Sequence, residues 1–221
     1  MPAVTHATTP PPAAASSGPA APPPGPDPVA RVRRLVGTAR DCSDLDPAGL
    51  GALTVALARV DAPLDLRIRG GLGSGRRTLA AALRERRGWR AEVDDVDVLV
   101  AAGDRVGTPP DVEILCLRTA PCRHEEAWLR RPRAHPLLTV ATGVEGSDPP
   151  GWASGLHRLD ARRPGDRSVD AVVAFVERAL DDLGTVRVAR LAAELERLAV
   201  RDGIGDLAEA ALCALDGTDR S

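Results

Sequence analysis

The stretch "IRGGLGSGRRTLAAALRERRGW", residues 68–89, decides the fold. It begins at the end of "LDLRIRG" (64–70), whose apolar residues alternate with the period of a β-strand. It continues into "RTLAAALRERR" (77–87), which is rich in helix-forming residues and is stopped by Gly88. A strand, a glycine-rich turn and a helix in this order predict the first unit of an α/β sheet, with a ligand site at the turn.

Strand and helix patterns alternate along the rest of the chain. Apolar runs with few charges predict four further strands, at 96–102, 112–119, 136–143 and 156–161. Apolar residues at helical spacing predict further helices at 28–42, 46–60, 122–131, 168–184, 186–200 and 204–215. The alternation predicts an α/β fold: a doubly wound, mostly parallel sheet of about five strands with flanking N- and C-terminal helices.

The sequence divides into four segments. Residues 1–28 hold ten of the twenty prolines and almost no charge, so we expect a disordered Pro/Ala-rich tail. Residues 29–60 are a helical lead-in, 61–165 the α/β core, and 166–216 the C-terminal helices. In the lead-in, Asp46 and Pro47 are typical of a helix start.

Composition narrows the function classes. The net charge of −2 offers no general attraction to nucleic acid, and no apolar run is long enough to span a bilayer. The four cysteines include no C-x-x-C pair, which favours a reduced, cytoplasmic protein. A metal site at Cys116, Cys122 and His124 is not expected, because Cys116 lies in an apolar strand where a buried thiol is typical.

The glycine-rich turn matches one known loop pattern better than others. Both the dinucleotide pattern G-x-G-x-x-G and the serine-hydrolase pattern G-x-S-x-G fail here. The phosphate-loop pattern G-x-x-x-x-G-K-[ST] is met by Gly70 and Gly75, but the last two positions are Arg76 and Arg77. The candidate phosphate-binding residues are therefore Gly70, Gly73, Ser74, Gly75, Arg76, Arg77 and Thr78.

Only some of the groups that bind phosphate and Mg²⁺ in that loop pattern are present here. Backbone N–H groups and the N-terminus of the following helix hold an anion without any lysine. Arg76 keeps a positive charge on a bulkier, planar group, and the absence of lysine throughout the chain is a composition bias that explains the exchange. Arg77 has no hydroxyl to coordinate Mg²⁺, and Thr78 lies about 100° further round the helix.

Over roughly 50–160, the chain resembles a degenerate P-loop GTPase domain, most closely the dynamin-like GTPases of actinobacteria. The resemblance implies a P-loop NTPase-like sheet, with Asp104 and Gly107 in the D-x-x-G motif that senses Mg²⁺ and the terminal phosphate. It also implies that Glu145 stands where the family reads the guanine base. The asparagine and lysine of that base-reading motif are replaced by Thr142 and Gly143.

The same resemblance implies a loss of catalysis. From residue 79 to 107 there is no Ser or Thr, so the switch threonine of the family has no counterpart. We therefore expect no catalytic residues and an inactive or very weak pseudo-GTPase domain that binds GTP, GDP or ATP, if any nucleotide, without tightly bound Mg²⁺. Its partner would be another protein, such as a dynamin-like GTPase, through which any membrane contact would be indirect.

Two alternatives stay open at this point. One is a divergent P-loop NTPase or nucleotide kinase in which Arg76 replaces the lysine and Asp104 provides the metal-binding carboxylate. The other is an α/β scaffold that binds only a protein and has no nucleotide site. Nucleotide binding and turnover separate the three hypotheses.

Overall fold

The computed structural model describes residues 27–40, 44–101, 108–143 and 150–217. Within these ranges the strands are β1 (Leu66–Gly70), β2 (Ala91–Asp95), β3 (Val112–Leu117), β4 (Leu137–Thr142) and β5 (His157–Leu159). The helices are α1 (Pro28–Ala39), α2 (Pro47–Val60), α3 (Arg76–Arg87), α4 (Val96–Ala101), α5 (Arg123–Leu129), α6 (Arg167–Asp181), α7 (Leu183–Ala199) and α8 (Gly205–Asp216). A short 3₁₀ turn spans Gly151–Ala153.

The five strands form one all-parallel sheet in the order β2-β1-β3-β4-β5. This confirms the predicted α/β fold with a parallel sheet. The chain steps from β1 outward to β2 and then returns to the other side of β1 for β3. The connections therefore diverge beyond the carboxyl ends of β1 and β3, which is where open parallel sheets place their ligands.

Helices cover both faces of the sheet. On one face, α3 and α6 pack against apolar side chains of the strands, and Val169, Val172 and Val176 of α6 are fully buried there. On the other face, the shorter helices α4 and α5 pack on Leu115 and Leu117 of β3. The helix α6 therefore belongs with the α/β core rather than with the helices that follow it.

A second apolar core lies between the N-terminal and C-terminal helices. Helices α1, α2, α7 and α8 bury Val32, Leu53, Leu191, Leu195 and Leu198 among one another. The predicted start of α2 is confirmed, because the Asp46 side chain accepts hydrogen bonds from two backbone N–H groups of the first turn and Pro47 follows it. The lead-in and the C-terminal helices thus form one bundle.

One predicted strand is wrong. Residues 96–102 were expected to form a strand, but the structure has β2 at Ala91–Asp95 and a helix at Val96–Ala101. The Asp95 carboxylate accepts from the N–H of Asp97 (3.0 Å) and so favours a helix start. Val96 is buried and Leu99 is partly buried, which is helical spacing, while Val98 is 66% exposed.

Paired charges explain why the polar segment 91–95 forms a strand. Arg69 of β1 is buried and donates to Asp94 of β2 (3.1 Å) and to Glu113 of β3 (3.0 Å). Glu113 also accepts from the ring N–H of Trp128 and bonds His135 (2.8 Å). These bonds and the nearby arginines outweigh burial and lower the pKa of Glu113. Cross-strand ion pairs thus replace apolar packing at this edge.

Candidate functional site

The glycine-rich loop connects β1 to α3 at the carboxyl edge of the sheet. A Cβ atom at Gly70 would collide with the carbonyl oxygen of Cys116 on the neighbouring strand and with the Ser74 side chain. Gly73 (φ +76°) and Gly75 (φ +79°) have left-handed backbone conformations that favour glycine. The loop therefore needs its glycines for close approach at one position and for backbone shape at two others.

Neighbouring elements hold the loop in place. The hydroxyl of Thr142, the last residue of β4, donates to the carbonyl oxygens of Ser74 (2.7 Å) and Leu117 (3.2 Å). On the opposite side, the N–H of Gly71 donates to the buried Glu125 carboxylate of α5 (3.3 Å). The loop is thus fixed from β4 and from α5.

The N-terminus of α3 has no side-chain cap, because its N-cap residue is Gly75. The first intrahelical bond runs from the N–H of Leu79 to the Gly75 carbonyl (3.0 Å), so the N–H groups of the preceding turn have no acceptor inside the helix. The Ser74 hydroxyl is buried and has no hydrogen-bond partner among the described residues. Within the described residues, this turn therefore holds backbone N–H groups without an acceptor inside the helix and a hydroxyl without a hydrogen-bond partner.

Arg76, at the position of the phosphate-loop lysine, folds back onto the sheet. Its guanidinium donates to the Gly70 carbonyl and to the Asp95 carboxylate at the end of β2 (2.7 Å). The hydrogen bond from Arg76 lowers the pKa of Asp95. The cation and the acid that flank the loop thus bind each other.

A cavity of about 740 Å³ opens beside the loop. Its walls come from the loop and from the residues that follow β3, β4 and β5, so it lies along the carboxyl edge of the sheet. The lining residues are Gly73, Gly75, Thr78, Arg118, Thr142, Gly143, Arg158, Leu159, Asp160, Ala161, Arg162, Asp166 and Ser168. This volume lies within the range of small-molecule sites, roughly 300–1,000 Å³.

Arg118 follows β3 directly and lies between two parts of the cavity wall. One of its terminal nitrogens is 3.3 Å from the place of a Cβ on Gly73, and its Nε is 3.9 Å from the place of a Cβ on Gly143. Its side chain is exposed and forms no hydrogen bond or ion pair with any other described residue. A positive charge that no described residue pairs is therefore held directly beside the loop.

The two carboxylates of the described cavity wall already accept hydrogen bonds. Asp160 pairs with Arg162 (2.9 Å), and Asp166 caps α6 by accepting from the N–H of Ser168 (2.8 Å). The hydrogen bond from the Arg162 side chain lowers the pKa of Asp160, and hydrogen bonds from the side chain and the N–H of Ser168 lower the pKa of Asp166. Among the described lining residues, three arginines thus stand beside two acids, and this excess of positive charge favours an anionic ligand.

The structure brings together only part of the predicted site. The phosphate-loop candidates from Gly70 to Thr78 lie together at the loop and the first turn of α3, whereas Asp104, Gly107 and Glu145 lie outside the described residues. Sequence reasoning missed Asp95, Arg118 and the wall provided by residues 158–168. Their common signal is position, because Asp95 ends β2, Arg118 directly follows β3, and the wall lies in β5 and in the connection from β5 into α6.

Cys116 is buried on β3, as the apolar strand pattern predicted. Burial raises the pKa of its thiol to about 12.

Among the residues that the structure describes, no group of three or more His, Cys, Asp or Glu side chains is placed to hold a metal ion. In the same ranges, no helix combines the length and apolarity needed to cross a membrane.

Comparison of the chain with protein-family models, with curated proteins and with solved structures returns no match.

Proposed function

We propose that this chain is a GTPase-like domain that binds a phosphate-bearing ligand without hydrolysing it and regulates a partner protein. The observation that carries the proposal is the pairing of Arg76 with Asp95 beside an intact glycine loop. In a working phosphate loop, the cation at this position contacts the terminal phosphates. Here its charge is used within the protein.

The chemistry of hydrolysis supports the non-catalytic half of the proposal. Phosphoryl transfer depends on a metal ion that neutralises the developing charge on the phosphate oxygens. The loop position that would offer a hydroxyl to the metal holds Arg77. Asp95, the acid next to the loop, gives a carboxylate oxygen to Arg76. Arg77 has no oxygen to bind a hydrated Mg²⁺, and both carboxylate oxygens of Asp95 already accept hydrogen bonds, from Arg76 and from the N–H of Asp97.

The backbone of the loop supports the proposal that the domain binds a phosphate group. The left-handed glycines at 73 and 75 shape the loop, and the uncapped first turn of α3 adds N–H donors and the positive end of the helix dipole. Arg118 contributes a full positive charge at the same place. Each of these groups favours a phosphate and none of them requires a metal.

A regulatory role follows from binding without turnover. A ligand that is bound and not consumed changes only the stability and the conformational populations of the domain. Leu72 is 92% exposed and precedes Gly73 of the cavity wall, so a bound ligand would change its surroundings. A protein that contacts this surface, such as a dynamin-like GTPase, would respond to the bound state.

The test is a thermal-shift series on the full chain with inorganic phosphate, GDP, GTP and ATP, each with and without Mg²⁺. We expect at least one phosphate-bearing ligand to raise the melting temperature, with no requirement for Mg²⁺. Arg118→Gln should weaken this ligand about tenfold or more, because a hydrogen bond to a charged group contributes about 1.5–3 kcal/mol. The matched control is Arg34→Gln, an exposed arginine of α1 that does not line the cavity.

A turnover assay separates the proposal from its alternatives. Mg²⁺-dependent GTP or ATP hydrolysis that Arg76→Ala abolishes would overturn the proposal in favour of a divergent NTPase in which Arg76 leaves Asp95. No shift with any phosphate ligand would overturn it in favour of a scaffold that binds only protein.

A further inference from the structure

We infer that the cavity beside the loop takes a small ligand with two phosphate groups, of the kind of a sugar bisphosphate, in place of a nucleotide with its base. The inference rests on the proposed function, because the loop and Arg118 hold the first phosphate. The second phosphate is bound by Arg158 and Arg162, at the part of the cavity wall that β5 and the residues after it provide.

The composition of the wall disfavours a nucleobase. Among the described lining residues there is no aromatic ring on which a base could stack, and the apolar surface is limited to small contributions such as Leu159 and Ala161. Of the acids that could accept from the N–H groups of guanine, Asp160 gives both oxygens to Arg162, and Asp166 gives one oxygen to the N–H of Ser168. The described wall therefore offers a base no aromatic stacking surface.

The same wall suits a second phosphate. Arginine presents its N–H groups in a planar fork that matches two phosphate oxygens at once. Arg158 is in β5, and Arg162 follows that strand three residues after its end. They are thus carried by a different element from Arg118, which follows β3. Two separate basic positions on one cavity are what a ligand with two separated phosphates requires.

The ion pair on this wall is weak enough to be exchanged. The side chains of Arg162 and Asp160 are 67% and 40% exposed, and solvent screening makes exposed pairs of this kind weak. A phosphate carries more negative charge than a carboxylate and competes for the same guanidinium. The hydroxyls of Thr78 and Ser168 line the cavity as well and are donors suited to a sugar or to its phosphates.

The experiment is a calorimetric titration of the full chain with fructose 1,6-bisphosphate, fructose 6-phosphate and GMP, without Mg²⁺. We expect the bisphosphate to bind at least about tenfold more tightly than either monophosphate, from the additional charge-assisted hydrogen bonds. In Arg158→Gln and Arg162→Gln variants, tested singly and together, the ratio of bisphosphate to monophosphate affinity should fall toward one. Arg34→Gln should leave the ratio unchanged and controls for general loss of positive charge.

The outcomes distinguish this inference from the proposed function. Equal affinities for the bisphosphate and the monophosphates would overturn the second subsite and leave phosphate binding at the loop intact. Tighter binding of GMP, unaffected by the two variants, would overturn it in favour of a base site. No binding of any phosphate compound would overturn both. Circular dichroism of each variant shows that it is folded, and the single variants keep the test usable if the double variant is not.

Discussion

At the amino-terminal edge of the sheet, Arg187 is 8% exposed and bonds Asp111 at 2.6 Å, whereas at the carboxyl edge Arg118 is exposed and unpaired among the described residues. Arg187 also donates to three carbonyl oxygens of the connection between α2 and β1, at Val60, Ala62 and Pro63. Within the described part of the chain, an arginine thus has several protein partners at one edge of the sheet and none at the other.

The difference separates a structural contact from a binding site. A buried charge has lost its water and must keep its protein partners, so Arg187 fixes α7 to the sheet. An exposed charge such as Arg118 exchanges water for a ligand at little cost. We therefore expect changes at the amino edge to lower the free energy of unfolding, and changes at the carboxyl edge to alter ligand binding first.

The largest expected effect comes from Arg187→Met. The substitution leaves the Asp111 carboxylate buried with only part of its compensation and leaves three carbonyl oxygens without their donor. We expect the free energy of unfolding to fall by about 3–5 kcal/mol, measured by urea denaturation.

The matched control is Arg197→Met, on the same helix. Arg197 pairs with Glu194 at the surface and its side chain is 54% exposed, so its loss should lower the free energy of unfolding far less than the loss of Arg187 does. Equal and small effects of the two substitutions would show that Arg187 is not needed to hold the bundle on the sheet.

Asp111→Asn should have the next largest effect, and it should depend on pH. Burial alone would raise the pKa of Asp111, but bonds from Arg187 and from the N–H of Asp65 lower it below its ordinary value of 3.8. A carboxyl with a lowered pKa stabilises the fold above its ordinary pKa and loses that contribution as the pH falls through its folded value. We expect a difference of about 2 kcal/mol from the wild type at pH 7, which begins to narrow near the ordinary pKa of 3.8 and closes only below the lowered pKa of the folded state.

Urea denaturation at several pH values checks this, with Asp61→Asn as control. Asp61 pairs with Arg33 at the surface and its side chain is 67% exposed, so its removal should change the free energy of unfolding by less than about 1 kcal/mol throughout. A pH-independent difference for Asp111→Asn would contradict the assignment of Asp111 as the charged partner of Arg187.

The elements of this fold were largely predictable because they carry local signals. Adjacent residues in the sequence indicate the helix start at Asp46 and Pro47, the helix end at Gly88 and the apolar strand β3. The strand β2 was not predictable in the same way. Its stability as a strand comes from ion pairs with β1, whose partners are about 25 residues away, as between Arg69 and Asp94.

The candidate site was predictable only where its residues are close together in the sequence. The glycine loop is contiguous and its residues are together in the structure, although its binding of a ligand stays a prediction. Asp95 meets Arg76 and Arg118 reaches Gly73 only because β1, β2 and β3 are neighbours in the sheet. The pairing of Arg187 with Asp111, 76 residues apart, likewise depends on where α7 packs.

The smallest of these effects is expected at the loop itself, with Gly75→Val. Gly75 has φ +79°, and a valine there adopts a conformation that costs about 1–2 kcal/mol. A Cβ would make only ordinary contacts, 3.7 Å from Thr142, so the backbone conformation is the main cause. Gly37→Ala on α1, where a Cβ meets nothing within 4 Å, should instead stabilise the protein by about 0.5–1 kcal/mol.

The outcomes for Gly75→Val decide the role of the loop. If the free energy of unfolding falls by no more than about 1–2 kcal/mol but the variant no longer binds phosphate, the loop is a binding element. A variant that loses neither stability nor phosphate affinity would show that the left-handed turn is unnecessary, and the contrast between the two edges of the sheet would then depend on Arg118 alone.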